Sequence, residues 1–88
     1  VQVLSVDDDP INQMVASTLL KSHNWSVVKA MTGLEALEYL TEKSTVLPDL
    51  VLLDVMMPGL NGYDAARRIR EVYPSSQLPI IMVSVCNG

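Results

Sequence analysis

Four consecutive apolar residues, Leu50-Val51-Leu52-Leu53, run directly into an acid, Asp54. A strand with one wet face alternates apolar and polar side chains. A strand that is apolar at every position buries both faces, which is the habit of parallel sheets covered by helices on either side. Two further runs behave in the same way. Val3, Leu4 and Val6 stop at Asp7-Asp8-Asp9-Pro10, and Pro79 to Val83 stays apolar until Ser84. Trp25 to Ala30, with Val27 and Val28 inside it, reads as another strand, opened by the punctuating Asn24.

The segments between these runs carry helical signals. Asp9 is placed to cap a helix whose first residue is Pro10, and Ile11, Met14, Val15, Thr18 and Leu19 then recur at helical spacing to about His23. Thr32-Gly33-Leu34-Glu35 has the spacing of a capping box, after which Leu34, Leu37 and Leu40 fall on one face of a helix ending near Lys43. A turn through Met57-Pro58-Gly59-Leu60-Asn61-Gly62 leads into a helix with Ala66, Ile69 and Tyr73 inward, closed by Pro74. Strands alternating with helices at short intervals call for an α/β fold, a parallel sheet with helices on both faces and right-handed crossovers.

Composition narrows the function classes. Among 88 residues, 49% are hydrophobic and 18% charged, a globular balance. Six basic against ten acidic residues give a net charge of −4, and the three arginines sit together at Arg67, Arg68 and Arg70, too little cation for a phosphate-tracking groove. Direct nucleic-acid contact is not expected. The single cysteine, Cys86, offers no internal disulfide, which fits a cytoplasmic, reducing compartment. No apolar run approaches the roughly 20 residues of a membrane span.

In such a sheet, sites lie beyond the carboxyl ends of the strands. Those ends carry Asp7 and Asp8, Asp54, and Ser84. Carboxylates converging from two strands repel one another unless a cation lies between them, and an all-oxygen set with room for water suits Mg²⁺. His23, the sole histidine, falls at the far end of the first helix, which argues against zinc. A carboxylate beside Mg²⁺ is also a candidate nucleophile for a phosphoryl group, with a hydroxyl such as that of Ser84 donating to the phosphoryl oxygens. Asp9 is accounted for as a helix cap rather than a ligand.

Four stretches carry a resemblance: Val6 to Gln13 (VDDDPINQ), Thr32 to Leu37 (TGLEAL), Pro48 to Gly62 (PDLVLLDVMMPGLNG) and Pro79 to Ser84 (PIIMVS). In this order they resemble the receiver domain of two-component response regulators, most like those carried by hybrid histidine kinases, to which Asn12 is typical. The resemblance implies a flavodoxin-like, doubly wound parallel sheet of order 2-1-3-4, with residues 1–88 forming a single receiver domain, incomplete at its C-terminus, that lacks the fifth strand and last helices. It implies that Asp54 is the phospho-acceptor, that Asp7, Asp8, Asp54 and the backbone carbonyl of Met56 bind Mg²⁺, and that Ser84 is the switch hydroxyl. The implied partner is a histidine kinase or histidine phosphotransfer protein, from whose phosphohistidine the receiver takes a phosphoryl group; whether the parent chain is itself a kinase stays open.

The family's fifth-strand lysine has no counterpart, so a receiver-like interaction module that is not phosphorylated is the alternative. Missing elements should also expose apolar area on the first helix and beside the third strand, favouring self-association. A haloacid-dehalogenase-like phosphatase would need an acid where Met56 stands. A flavodoxin-like phosphate site would want a Ser/Thr- and Gly-rich loop in place of three aspartates.

Overall fold

A computed structural model describes residues 1–42, 46–55 and 62–83. Four strands and three helices alternate among them: β1 (Gln2–Val6), α1 (Pro10–Ser22), β2 (Ser26–Ala30), α2 (Gly33–Thr41), β3 (Leu50–Asp54), α3 (Gly62–Val72) and β4 (Ile80–Val83). All three pairings are parallel, as the apolar runs predict, and the strand order is β2-β1-β3-β4, as the resemblance implies. This is the flavodoxin-like arrangement, with β1 and β3 in the middle.

Central position explains the apolar character of β1, where the polar Ser5 is also buried, and of β3. Val3, Leu4 and Val6 of β1 and Val51 and Leu53 of β3 are all 1% exposed or less. In register, Leu4 lies beside Val51 and Val6 beside Leu53, so these four share a face. That face, with Ala36 and Leu40 of α2, Ala65 and Ile69 of α3, and Leu78, forms the hydrophobic core. The opposite face carries α1, set against β1 and β2.

Local chemistry sets the helix ends. Asp9 is extended and its carboxylate accepts from the Ile11 N–H, with Pro10 at the first helical position. The Thr32 hydroxyl accepts from the Glu35 N–H at 3.1 Å, which is the Thr32 half of the expected capping box. Asn24 has φ 64, a left-handed turn that asparagine tolerates, and it reverses the chain between α1 and β2. The loop after α3 is pinned by Arg70, which donates to the carbonyls of Tyr73 and Leu78, and by the Tyr73 hydroxyl, which donates to the Leu40 carbonyl at 2.8 Å. Arg70 thus belongs to the packing of this loop, whereas Arg67 and Arg68 are exposed.

Two helices turn a different face inward than their apolar spacing suggests. On α2 the buried residues are Gly33, Ala36 and Leu40, while Leu34 is 56% exposed and Leu37 half-buried. Small residues let this helix approach α3 and the sheet closely. On α1 the buried residues are Gln13 and Ser17, and Ile11, Met14, Val15 and Leu19 are 58–66% exposed. Ile81 and Val83 of β4, the outermost strand of the described sheet, are exposed as well, so apolar area lies open on α1 and on the strand beside β3. Among the described residues no helix is long and apolar enough to cross a membrane.

Candidate functional site

Register brings the acids together. Val6 pairs with Leu53, so the residue that follows each strand position, Asp7 on one side and Asp54 on the other, emerges at the same edge of the sheet. Asp8 follows at once. One carboxylate oxygen from each of Asp7, Asp8 and Asp54 lies within 4.8 Å of the others. Their surroundings differ. Asp54 is 6% exposed, Asp7 is half-buried and Asp8 faces solvent.

Hydrogen bonds hold the β1–α1 turn in this shape. The Asp7 N–H donates to the Ala30 carbonyl at 3.1 Å, continuing the ladder one step beyond the strand. The Asp9 N–H donates to Asp7 Oδ1 at 2.9 Å, which leaves Asp7 its second oxygen and orients the first. Asp9 points its own carboxylate into the helix end and is not one of the clustered acids.

Close backbone approach completes the other side. The N–H of Gly62, at the start of α3, donates to the Val55 carbonyl at 3.1 Å. A Cβ on Gly62 would stand 2.1 Å from the Asp54 carbonyl oxygen and 2.7 Å from the Cα of Val55. Only glycine lets α3 begin this near to the acid.

A half-open cleft of about 240 Å³ runs beneath the cluster, lined by Asp7 and Asp54 at its acidic end, by Asn12, Val15 and Ala16 of α1, and by Val83 of β4. Asn12 therefore borders the acids. The oxygen-only donor set, two of whose members reach water, fits a hard divalent cation such as Mg²⁺. His23 caps the opposite end of α1 and is exposed, away from the site. Met56 and Ser84, expected as a carbonyl ligand and a switch hydroxyl, lie outside the described residues, as does Cys86.

Sequence reasoning passed over Gln13, which is 2% exposed behind the acidic turn. Nothing local marked it, because helical spacing sets Ile11, Met14, Val15 and Leu19 against the sheet, and an amide is buried only where tertiary partners meet it.

Comparison with known proteins agrees with this geometry. Residues 3–88 match the family described as the response regulator receiver domain. Protein PilH of Pseudomonas aeruginosa is 34% identical over 83 residues, covering 94% of this chain and 66% of that protein. A CpxR homolog from Haemophilus influenzae, a transcriptional regulatory protein, is 43% identical over 83 residues, 94% of this chain and 34% of its own length. A CheY-like receiver domain protein from Methanospirillum hungatei superposes with a TM-score of 0.82 at 30% identity, covering 99% of this chain and 67% of that one. TrrA of Thermotoga maritima, solved in complex with Mg²⁺ and BeF, gives 0.83 at 29% identity, covering 98% and 70%. The chain thus spans about two thirds of PilH and about one third of the CpxR homolog. With acids at the ends of β1 and β3, a 2-1-3-4 sheet and a family match over nearly its whole length, the chain belongs to the response regulator receiver domain family.

Proposed function

We propose that this receiver accepts a phosphoryl group on Asp54 from a phosphohistidine, with Mg²⁺ held by Asp7, Asp8, Asp54 and the backbone carbonyl of Met56. The observation that carries the reading is the convergence of three carboxylates within 4.8 Å, one of them buried at the end of a central strand. Three negative charges so close are costly without a cation, and burial leaves Asp54 the least solvated of them.

In the transfer, an Asp54 carboxylate oxygen attacks the phosphorus in line. The O–P bond forms as the P–N bond to the donor imidazole breaks, and the imidazole nitrogen keeps the electron pair and takes up a proton. Bound Mg²⁺ supplies charge neutralisation for the phosphoryl oxygens. Asp7 and Asp8 would help hold the cation, and the Asp9 N–H on Asp7 Oδ1 restrains the orientation of that carboxylate. Gly62 keeps the backbone of Asp54 close to α3, which holds the nucleophile at the strand end. Ser84 donates its hydroxyl to the phosphoryl group. The Mg²⁺–BeF complex of TrrA supports the same chemistry for a relative.

The donor on this reading is a histidine kinase or histidine phosphotransfer protein. The parent on this reading is of the hybrid histidine kinase kind, which rests on the resemblance that Asn12 carries in the sequence; in the structure Asn12 lines the cleft shared with Asp7 and Asp54. The test is incubation with acetyl phosphate and Mg²⁺, read by intact mass and by amide NMR with beryllofluoride. We expect one phosphoryl group per chain, lost in Asp54→Asn, with shifts centred on Asp54 and Ser84. A folded wild-type protein that gains no mass and shows no shift identifies an interaction module that is not phosphorylated.

A further inference from the structure

Gln13 is buried on α1, and its side chain turns toward strand ends rather than toward apolar neighbours. Its Nε2 lies 2.9 Å from the Ser5 carbonyl, 3.0 Å from the Asp7 carbonyl and 3.0 Å from the Ala30 carbonyl. Two N–H bonds thus serve three oxygens at the point where β1 and β2 end and the acidic turn begins. The Asp7 oxygen belongs to the residue whose side chain joins the cluster. The Ala30 oxygen also accepts from the Asp7 N–H, so one small polar knot fixes the direction in which Asp7 and Asp8 leave the sheet.

The arrangement costs something. Gln13 Oε1 is buried with no hydrogen-bond partner. Exchanging the amide ends would set that oxygen against three carbonyl oxygens, so the orientation is dictated and the orphan is the lesser penalty. A residue kept only for packing would be served better by leucine or methionine, which carry no such cost. Ile11, Met14, Val15 and Leu19 of α1 face outward, so the buried side of the helix is this amide and Ser17, flanked by the half-buried Ala16 and Leu20.

We propose that Gln13 is a positioning residue for the cation site: by clamping the carbonyls of Ser5, Asp7 and Ala30 it holds the Asp7-Asp8 carboxylates at the spacing that binds a divalent ion. The proposal rests on the reading of Asp7, Asp8 and Asp54 as that site. Partners that orient metal ligands typically carry about 10- to 100-fold of the metal affinity. Gln13→Met keeps the length of the side chain and removes both donors.

The experiment titrates the protein with Mn²⁺, a paramagnetic stand-in for Mg²⁺, and counts free ion by electron paramagnetic resonance. Melting in a chelator is measured alongside. Gln13→Met should weaken Mn²⁺ binding about tenfold or more at temperatures where it is fully folded. Ser17→Ala, at the other buried polar position of α1, should leave the affinity unchanged whatever it does to melting. A folded Gln13→Met with wild-type affinity overturns the proposal. If Asp54→Asn binds Mn²⁺ as tightly as wild type, or wild type binds none, the underlying reading fails and the proposal falls with it. Should Gln13→Met not fold, NMR of the wild-type side-chain amide decides: slow exchange and a shift on adding Mg²⁺ support the clamp, and free-glutamine exchange without a shift refutes it.

Discussion

Asp54→Asn should make the metal-free protein more stable while abolishing its response to Mg²⁺. The substitution keeps the shape of the side chain and one carbonyl oxygen, so bonds accepted there can persist, and it removes the charge. With carboxylate oxygens within 4.8 Å, two unit charges repel by about 0.9 kcal/mol at the dielectric of water and about 3.5 kcal/mol at an effective value of 20. Asp8 faces solvent and Asp7 is only half-buried, so screening keeps the interaction near the lower figure. Neutralising Asp54 relieves its repulsion with both neighbours, about 1–2 kcal/mol together. A domain of this size gains about 4–8 °C in melting temperature for each kcal/mol. Mg²⁺ at ten times its dissociation constant should stabilise wild type by roughly 1.4 kcal/mol through mass action and leave Asp54→Asn unmoved. Thermal melts of both proteins in chelator and in Mg²⁺ supply the four values needed, and four more at high monovalent salt test the screening. Salt should shrink the metal-free difference. A variant that melts below wild type without metal, or that keeps a Mg²⁺-dependent rise, refutes the electrostatic account of the cluster.

Other expectations follow from single contacts. Gly62→Ala places a methyl group 2.1 Å from the Asp54 carbonyl oxygen and should cost about 3 kcal/mol in urea unfolding; an unchanged midpoint would show that α3 can withdraw freely. Asp9→Ala removes the bond to the Ile11 N–H and should cost about 1 kcal/mol while leaving Mn²⁺ affinity intact, since Asp9 caps a helix and stands apart from the clustered acids. Tyr73→Phe should cost about 1 kcal/mol by leaving the Leu40 carbonyl without its donor, measured in the same denaturation series.

Much of the molecule is legible in the linear pattern. The run Leu50 to Leu53 does mark a central strand, buried at Val51 and Leu53 and half-buried at Leu50 and Leu52. The equally apolar Ile80–Val83 lies outermost in the described sheet with Ile81 and Val83 exposed, so an unbroken run reports a parallel strand but not its cover. Caps are local, involving atoms two or three residues apart, and Asp9 and Thr32 accordingly behave as their neighbours dictate. Short right-handed crossovers give the parallel sheet and set the acids at its carboxyl edge, while the order of its strands came with the resemblance to the receiver family.

The sequence by itself therefore determined the α/β class and which acids end which strands, and its family resemblance implied the strand order. Tertiary structure alone decided which faces are buried and how the acids meet. Periodicity places Leu34 with Leu37 and Leu40, and Ile11 with Met14 and Val15, but it cannot tell which side of a helix meets the sheet. That choice went to Ala36 on α2 and to Gln13 on α1, through close approach in one case and three strand-end carbonyls in the other. The 4.8 Å convergence of Asp7, Asp8 and Asp54 likewise depends on the pairing of Val6 with Leu53, a contact between residues far apart in the chain that no local rule encodes.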